Sequence, residues 1–212
     1  MKKLICHCGA VEAEINLEGE LAKVIKCNCS ICKRRGAIMS MVKNEDFKIT
    51  KGEDKLKLYQ FHSKVAKHYF CSECGIYTHH NPRINPAMTG FNVGCIDEID
   101  TFGLNEVPVN ELAKIVKCNC SICKRKSATM GMVKNEDFKI TKGEDKLKLY
   151  QYHTKVAKHY FCSECGIYTH HHPRSNPAMT GFNLGCVDEV DLASLTDITL
   201  IDGQNHPMDQ KK

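Results

Sequence analysis

The cysteines are the residues of this sequence that point most directly to chemistry. The chain of 212 residues contains 14 of them, and most stand two or three positions apart. Such spacing lets one tight turn present two sulfurs to a single metal ion, and zinc is the usual ion in thiolate sites. In the first hundred residues the thiols form a C-X-C pair, a C-X-C-X-X-C triplet, a C-X-X-C pair and a single residue: Cys6/Cys8, Cys27/Cys29/Cys32, Cys71/Cys74 and Cys95.

Composition indicates the cellular compartment and the partners that we expect for this protein. The opening residues lack an apolar stretch long enough for a secretion signal, so we expect a cytoplasmic protein with reduced thiols. No run approaches the roughly 18 apolar residues of a membrane span, so we expect no membrane partner. The net charge of +5 comes from lysines scattered among acidic residues, which does not favour a nucleic-acid partner.

Two zinc sites account for seven of these eight thiols. A closed site of four thiolates needs two turns that carry two thiols each, and Cys6/Cys8 with Cys71/Cys74 supply them. The triplet then has three ligands and an open position, where zinc can bind a reacting molecule. In the alternative, Cys95 completes the triplet and both sites are structural. Cys95 stands in a strand-like segment, however, where a buried free cysteine is common.

A direct repeat covers most of the chain with an offset of 91 residues. The copies span residues 20–100 and 111–191, are mostly identical and need no gap for their alignment. Such a repeat is typical of a duplicated unit. We therefore predict two domains, residues 1–109 (the first half) and residues 110–212 (the second half).

The two copies differ in their metal-binding motifs. The second half repeats the triplet and the C-X-X-C pair, but no C-X-C pair precedes them. Its C-X-X-C pair has three possible fates. It stays free of metal, which is simplest; it recruits a histidine from residues 170–172 or a thiol from another chain; or it receives the N-terminal C-X-C pair. We keep Cys162 and Cys165 as candidate zinc ligands.

We call the motifs the first triplet (Cys27, Cys29, Cys32), the second triplet (Cys118, Cys120, Cys123), the C-X-C turn (Cys6-His7-Cys8), and the first and second knuckles (Cys71–Gly75, Cys162–Gly166).

Short segments that alternate apolar and polar residues dominate the sequence, and no long segment has the 3.6-residue period of a helix. We therefore predict an all-β fold with short helical turns. Phe47–Ile49 and Leu56–Leu58 are predicted to form a hairpin around the turn at 51–54. A strand should lead into the first knuckle, where Gly75 takes the positive φ of the turn. In halves of roughly 100 residues a structural metal contributes usefully to folding.

The ordered motifs carry a resemblance to a known family. Cys6-His7-Cys8-Gly9, then Cys27-Asn28-Cys29-Ser30-Ile31-Cys32, then His68–Gly75, and finally Asn92–Asp97 resemble the glutathione-dependent formaldehyde-activating enzymes, also called the CENP-V/GFA domain. The resemblance implies a duplicated β-tent zinc-binding fold. It also implies a structural zinc on Cys6, Cys8, Cys71 and Cys74 and a second zinc on each triplet. The implied activity is that of a carbon-sulfur lyase, which reversibly combines glutathione and formaldehyde into S-hydroxymethylglutathione.

The chemistry suits an open triplet. A zinc ion held by three thiolates can take a fourth sulfur, lower its pKa and hold it beside an aldehyde carbon. We therefore predict a small-molecule thiol and an aldehyde as partners, with zinc as cofactor, glutathione as co-substrate, and both triplets as catalytic residues. A non-catalytic zinc module that binds protein or nucleic acid is the alternative, and an oligomer is compatible with the sequence.

Other polar residues near the motifs receive lesser roles. Lys33, Arg34 and Arg35 directly follow the first triplet and are candidates for binding the carboxylates of glutathione, with a solvated loop as the alternative. His68 and its counterpart His159 are expected to pack rather than to react. The histidine runs at 79–80 and 170–172 are placed at the surface or behind the metal ligands, because neighbouring residues of a strand point to opposite faces.

Overall fold

The computed structural model of the chain describes residues 1–17, 21, 24–27, 29–101, 115–195 and 198–206. Within these residues the protein is built from β-strands, two helices of six residues each and isolated 3-10 turns. The predicted all-β class with short helical turns is confirmed. The predicted domain boundary after residue 109 lies outside the described residues. No helix in the described part is long and apolar enough to cross a membrane.

The first half consists of two antiparallel sheets that share one core. In chain order its elements are β1 (Lys2–Ile5), β2 (Glu12–Ile15), α1 (Ser30–Arg35), β3 (Met39–Lys43), β4 (Phe47–Lys51), β5 (Leu56–Tyr59), β6 (Lys67–Cys71), β7 (Tyr77–Asn81) and β8 (Met88–Asn92). Strands β1-β2-β4 form a three-stranded sheet and β3-β8-β7-β6-β5 a five-stranded one. Leu4 and Ile15 from the small sheet and Phe91 from the large sheet are fully buried in the same cluster.

The predicted hairpin of Phe47–Ile49 with Leu56–Leu58 is wrong. The two segments are strands β4 and β5, but they belong to different sheets: β4 pairs with β2, and β5 pairs with β6. Gly52 has a left-handed φ of 71° and a 3-10 turn at Glu53–Lys55 follows it, so the chain passes from one sheet to the other. The β1–β2 hairpin offers β4 a strand edge at β2 with which to pair, which the local sequence pattern alone does not show.

The second half has one seven-stranded sheet. Its elements are β9 (Ile115–Cys118), α2 (Ser121–Lys126), β10 (Met130–Lys134), β11 (Leu147–Tyr150), β12 (Lys158–Cys162), β13 (Tyr168–His172), β14 (Met179–Asn183) and β15 (Ile198–Ile201). The strand order is β11-β12-β13-β14-β10-β9-β15, and β15 runs parallel to β9. Residues 138–140 correspond to the start of β4, yet they form no strand. The second copy has no β1–β2 hairpin in its sequence with which they could pair.

The two halves pack against each other in a reciprocal manner. Helix α1 lies against the 3-10 turn at Leu184–Cys186, and α2 lies against the equivalent turn at Val93–Cys95. The side-chain amide of Asn92 donates to the carbonyl oxygen of Arg125 at 3.0 Å. In the mirror contact, Asn183 donates to the carbonyl oxygen of Arg34 at 2.8 Å. The duplicated halves therefore form a pseudo-symmetric pair within one chain.

Two glycines test how the β1–β2 hairpin contributes to stability. Gly52 and Gly143 are equivalent turn residues with φ of 71° and 77°, so Ala at either site costs about 1–2 kcal/mol of left-handed strain. A Cβ at Gly52 would also overlap the carbonyl oxygen of Ala10, whereas a Cβ at Gly143 meets nothing within 4 Å. We expect Gly52→Ala to lower the urea midpoint clearly more than Gly143→Ala. Equal losses of stability in the two variants would show that the contact of the hairpin with this turn adds nothing to the cost at Gly52.

Candidate metal centres

Four cysteines of the first half converge on one point between its two sheets. The C-X-C turn connects β1 to β2, and the first knuckle connects β6 to β7. The Sγ atoms of Cys6, Cys8, Cys71 and Cys74 all lie within 4.8 Å of one another. The Cys6–Cys8 and Cys8–Cys71 Sγ distances are both 3.6 Å, close to the roughly 3.8 Å edge of a tetrahedron with zinc-sulfur bonds of about 2.3 Å. These residues fit a closed zinc site.

Backbone hydrogen bonds fix this arrangement. The amide of Cys71 donates to the carbonyl of Ile76 at 2.9 Å, and the amide of Gly75 donates to the carbonyl of Cys71 at 2.9 Å. Gly75 has a φ of 70°, as the sequence predicts. Three of the four thiols are buried, while Cys8 is exposed. Hydrogen bonds from the thiols of Cys71 and Cys74 lower the pKa of Cys6, so one thiolate is already favoured among these ligands.

Each triplet is presented by a short helix. The first triplet leads into α1 and the second triplet runs from the end of β9 into α2. In both, the three Sγ atoms lie within 4.8 Å of one another. Hydrogen bonds from Cys118 and Cys123 lower the pKa of Cys120 to about 2. The second triplet thus holds one thiolate between two thiols. When a metal binds such a set of ligands, the two thiols release their protons.

The second knuckle forms the same turn as the first, although the second half has no C-X-C pair to complete a four-cysteine site. The amide of Cys162 donates to the carbonyl of Ile167 at 2.9 Å, and Gly166 has a φ of 71°. Among the described residues, no group of three or more potential ligands within 4.8 Å of one another includes this pair. The C-X-C turn lies on the first half, so it does not complete this site. Burial raises the pKa of Cys165 to about 11. The assignment of Cys162 and Cys165 as zinc ligands stays a prediction.

Cys95 does not belong to the first triplet. It is fully buried, and its Sγ lies 3.8 Å from the carbonyl oxygen of Tyr77. Burial raises the pKa of its thiol, which keeps it protonated. Cys95 is also absent from the group of Cys27, Cys29 and Cys32, whose sulfurs lie within 4.8 Å of one another. The structure therefore does not favour Cys95 as a fourth ligand, and the open position of the triplet stays a prediction.

The basic run after each triplet lies in the interface between the halves. Lys33 donates to the carbonyl oxygen of Val187 at 3.0 Å, and Arg34 pairs with Asp188 at 2.6 Å. In the second half, Arg125 pairs with Asp97 at 2.7 Å. The predicted binding of glutathione carboxylates by Lys33, Arg34 and Arg35 would require such contacts to open, and it stays a prediction.

The last residue of each run is a buried cation beside thiols. Arg35 is 7% and Lys126 is 6% exposed, and they lie 3.8 Å and 4.0 Å from the ring centres of Tyr77 and Tyr168. Lys126 Nζ has no hydrogen-bond partner, nor do Arg35 Nε and Nη1. Burial lowers the pKa of Lys126 to about 8, and the thiols of Cys74 and Cys123 oppose that effect. Zinc with three or four thiolates carries a net negative charge, so such clusters would suit buried cations whose nitrogen atoms are not all hydrogen-bonded.

A large cavity opens over the second triplet. It has a volume of about 950 Å³, and the three sulfurs of the triplet line it together with Tyr152, His159 and Asp97, the last from the first half. His159 is 5% exposed; its Nδ1 lies 2.9 Å from the Tyr168 hydroxyl, while its Nε2 has no hydrogen-bond partner. Burial lowers the pKa of His159 to about 3, so the ring is neutral. The cavity therefore combines a thiol cluster with an unsatisfied polar atom.

Comparison with known proteins identifies the family. The family profile described as glutathione-dependent formaldehyde-activating enzyme matches residues 1–109 and again residues 104–199. The chain belongs to the glutathione-dependent formaldehyde-activating enzyme family. The two matches follow the repeat, so both halves derive from the same family unit.

Relatives in this family are similar over part of their length. A protein of Fusarium vanettenii is 34% identical over 35% of this chain and 42% of its own, and one of Emericella nidulans is 28% identical over 42% of this chain and 47% of its own. Both are provisionally named glutathione-dependent formaldehyde-activating enzymes. This chain thus matches less than half the length of either relative. A crystal structure of a Rhodobacter sphaeroides protein shares 46% identity over 50% of this chain and 97% of its own, with a TM-score of 0.47.

The structure also shows features of the site that sequence reasoning missed or misplaced. His79 was expected at the surface or behind the metal ligands, but it is buried and stacks on Tyr69 with 4.5 Å between ring centres. His68 packs as predicted, with its Nδ1 3.0 Å from the Tyr77 hydroxyl. The contribution of Tyr152 to the cavity was missed. The only signal for it was the difference from Phe61 at the equivalent position of the first copy.

Metal analysis of two matched variants tests the assignment of the closed site. Cys71→Ser removes a ligand from the four-cysteine site, so we expect the purified chain to lose one zinc per molecule and its unfolding midpoint to fall. Cys162→Ser changes the equivalent residue of the second half, and we expect the zinc content to stay the same. Inductively coupled plasma mass spectrometry measures both. A loss of zinc in Cys162→Ser would show that the second knuckle binds metal.

The buried histidines predict a stability loss in acid. Burial lowers the pKa of His79 to about 3, below the value of about 6.5 in an unfolded chain. The neutral ring therefore stabilises the fold fully above pH 6.5, and this stabilisation is lost as the pH falls towards 3. We expect His79→Phe, which keeps the stack on Tyr69, to gain on the order of 2 kcal/mol relative to the parent between pH 7 and 5. Urea titrations measure this gain, and parallel pH curves would contradict it.

Proposed function

We propose that this chain activates formaldehyde with glutathione at a zinc ion held by three cysteines. Two facts support the proposal: the chain belongs to a family described by that activity, and three thiols of the second half lie within 4.8 Å of one another. The observation that carries it is that this cluster lines a cavity of about 950 Å³. That volume is at the upper end of the roughly 300–1,000 Å³ of small-molecule sites.

The triplet would hold the metal and leave one position open. Zinc bound there supplies a place for a fourth sulfur and lowers the pKa of that thiol. The three thiols of the triplet are partly covered by their neighbours, and reduced contact with water strengthens electrostatic interactions. Lys126 offsets the negative charge of the thiolates from below the site. The side chains of this chain thus mainly position the reactants, which converts a two-molecule reaction into a reaction within one complex.

The reaction itself is an addition to a carbonyl group. The sulfur of glutathione attacks the carbon of formaldehyde and a carbon-sulfur bond forms. The π electrons of the carbonyl group move to its oxygen, which takes up the proton that the thiol released. The product is S-hydroxymethylglutathione, and the reverse step breaks the carbon-sulfur bond, as a carbon-sulfur lyase does. Glutathione is anionic, and Lys124 and Arg174 place positive charge along the cavity wall, where Arg125 is paired with Asp97.

Exchange spectroscopy tests this function directly. Glutathione and ¹³C-formaldehyde reach equilibrium with their adduct without a catalyst, so catalysis appears as faster exchange between the two carbon signals. We expect the zinc-loaded chain to accelerate the exchange, and the same chain treated with a chelator to lose that acceleration. An exchange rate equal to that of the protein-free mixture, at protein concentrations comparable to the substrates, would refute the proposal. Such a result would favour the non-catalytic zinc module.

A further inference from the structure

We infer that the thiol-binding site is a composite of both halves at the second triplet, in which His7 of the first half is a positioning residue. The inference rests on the proposed function, because it names the triplet that binds the thiol. It is carried by three features that surround the second triplet: a histidine from the other half, a tyrosine hydroxyl and a C-terminal segment.

His7 reaches from the first half to the loop of the second triplet. Its Nε2 lies 3.0 Å from the hydroxyl of Ser121, which stands between two cysteines of that triplet. Its Nδ1 lies 2.7 Å from the hydroxyl of Tyr150. The C-X-C turn holds His7 between two ligands of the four-cysteine site. The ligand set of the first half therefore fixes a side chain that orients the ligand loop of the second half.

A tyrosine connects His7 to the sulfurs. The ring of His7 packs edge-on against Tyr152, with 4.4 Å between ring centres. The hydroxyl of Tyr152 lies 4.0 Å from Sγ of Cys120. At the equivalent position of the first half stands Phe61, which has no hydroxyl. The two copies thus differ at a ring whose hydroxyl faces a triplet sulfur in the second half.

The C-terminal segment closes the other side of the second triplet. Strand β15 pairs with β9, and the chain then crosses the triplet loop. Asn119, which lies inside the triplet, donates to Asp202 at 3.0 Å and accepts from the amide of Gly203 at 2.7 Å. A Cβ at Gly203 would collide with Cys118 and Cys120, so the backbone runs directly against these ligands. In the repeat, residues 202–206 correspond to 111–115, which are already the start of the second copy.

The first triplet has the same thiols but a different setting. Cys27 and Cys29 are exposed, whereas all three thiols of the second triplet are partly covered. The second half carries no C-X-C pair, so it has no counterpart of His7 to offer. Among the described residues, the two halves therefore differ in the part of the family unit that surrounds each triplet. The first half keeps the four-cysteine site, and the second half keeps the covered, open site that this four-cysteine site supports.

Cobalt spectroscopy of matched double variants locates the thiol site. Cobalt(II) replaces zinc in thiolate sites, and its visible absorption changes when a fourth sulfur binds. We expect glutathione to change the spectrum of the cobalt-loaded full-length chain. The change should persist in Cys27→Ser/Cys29→Ser and disappear in Cys118→Ser/Cys120→Ser. No change in the parent chain would count against the proposed function. A change that requires the first triplet would overturn only the composite site.

Substitutions of His7 test its positioning role. We expect His7→Ala to weaken the apparent affinity for glutathione, by an amount on the order of the 10- to 100-fold losses of metal affinity or activity that follow changes of groups that orient metal ligands. His7→Gln keeps a polar group within reach of Ser121, so we expect it to restore part of the affinity. The four-thiolate cobalt band should remain in both variants. Unchanged glutathione affinity in His7→Ala would overturn the role of His7.

A second matched pair keeps the inference testable if His7 variants fold poorly. Tyr152→Phe removes only the hydroxyl next to Cys120, and we expect a several-fold weaker response to glutathione. Phe61→Tyr adds a hydroxyl at the equivalent position of the first half, and we expect no change. Equal responses in Tyr152→Phe and the parent, or a loss in Phe61→Tyr, would contradict the assignment of the site to the second triplet.

Discussion

The tetrahedral spacing of four sulfurs in the first half is the constraint on which much of the molecule depends. It joins the hairpin of the small sheet to a knuckle of the large sheet, so it ties together two layers that share a thin core. It also sets the position of His7, because both neighbours of that residue, Cys6 and Cys8, belong to the four-cysteine cluster. A single local geometry thus determines the packing of the first half and a contact with the second triplet.

The interface between the halves extends this constraint across the chain. Each short helix carries a triplet at its start and packs with its basic run against the other half. Charged side chains are costly to bury, and Arg35 and Lys126 have buried nitrogen atoms without hydrogen-bond partners. Cysteine clusters on both sides of the interface would supply the compensating negative charge when they hold zinc. The proposed metal binding would therefore be coupled to the association of the halves through the same electrostatic balance.

Duplication has produced two halves with similar sequences and different environments. Among the residues that the structure describes, the hairpin with the C-X-C turn is found at the N-terminus, and β15 borders the triplet loop of the second copy. The absence of the hairpin also explains why residues 138–140 form no strand, although their sequence repeats that of β4. Identical residues adopt different structures here because a strand requires a neighbour to satisfy its backbone hydrogen bonds.

The sequence by itself determined the motifs whose geometry is local. Thiol spacing predicted the four-cysteine site and the two triplets, because a turn of three or four residues fixes where its sulfurs lie, and the repeat predicted two related halves. Only the tertiary structure decided which strands pair, as the wrong hairpin between β4 and β5 shows. It also decided that Cys95 stays away from the first triplet, that His79 is buried, and that the basic runs lie between the halves. These features depend on contacts between residues far apart in the chain, and a periodic pattern carries no information about the partner that a face will meet.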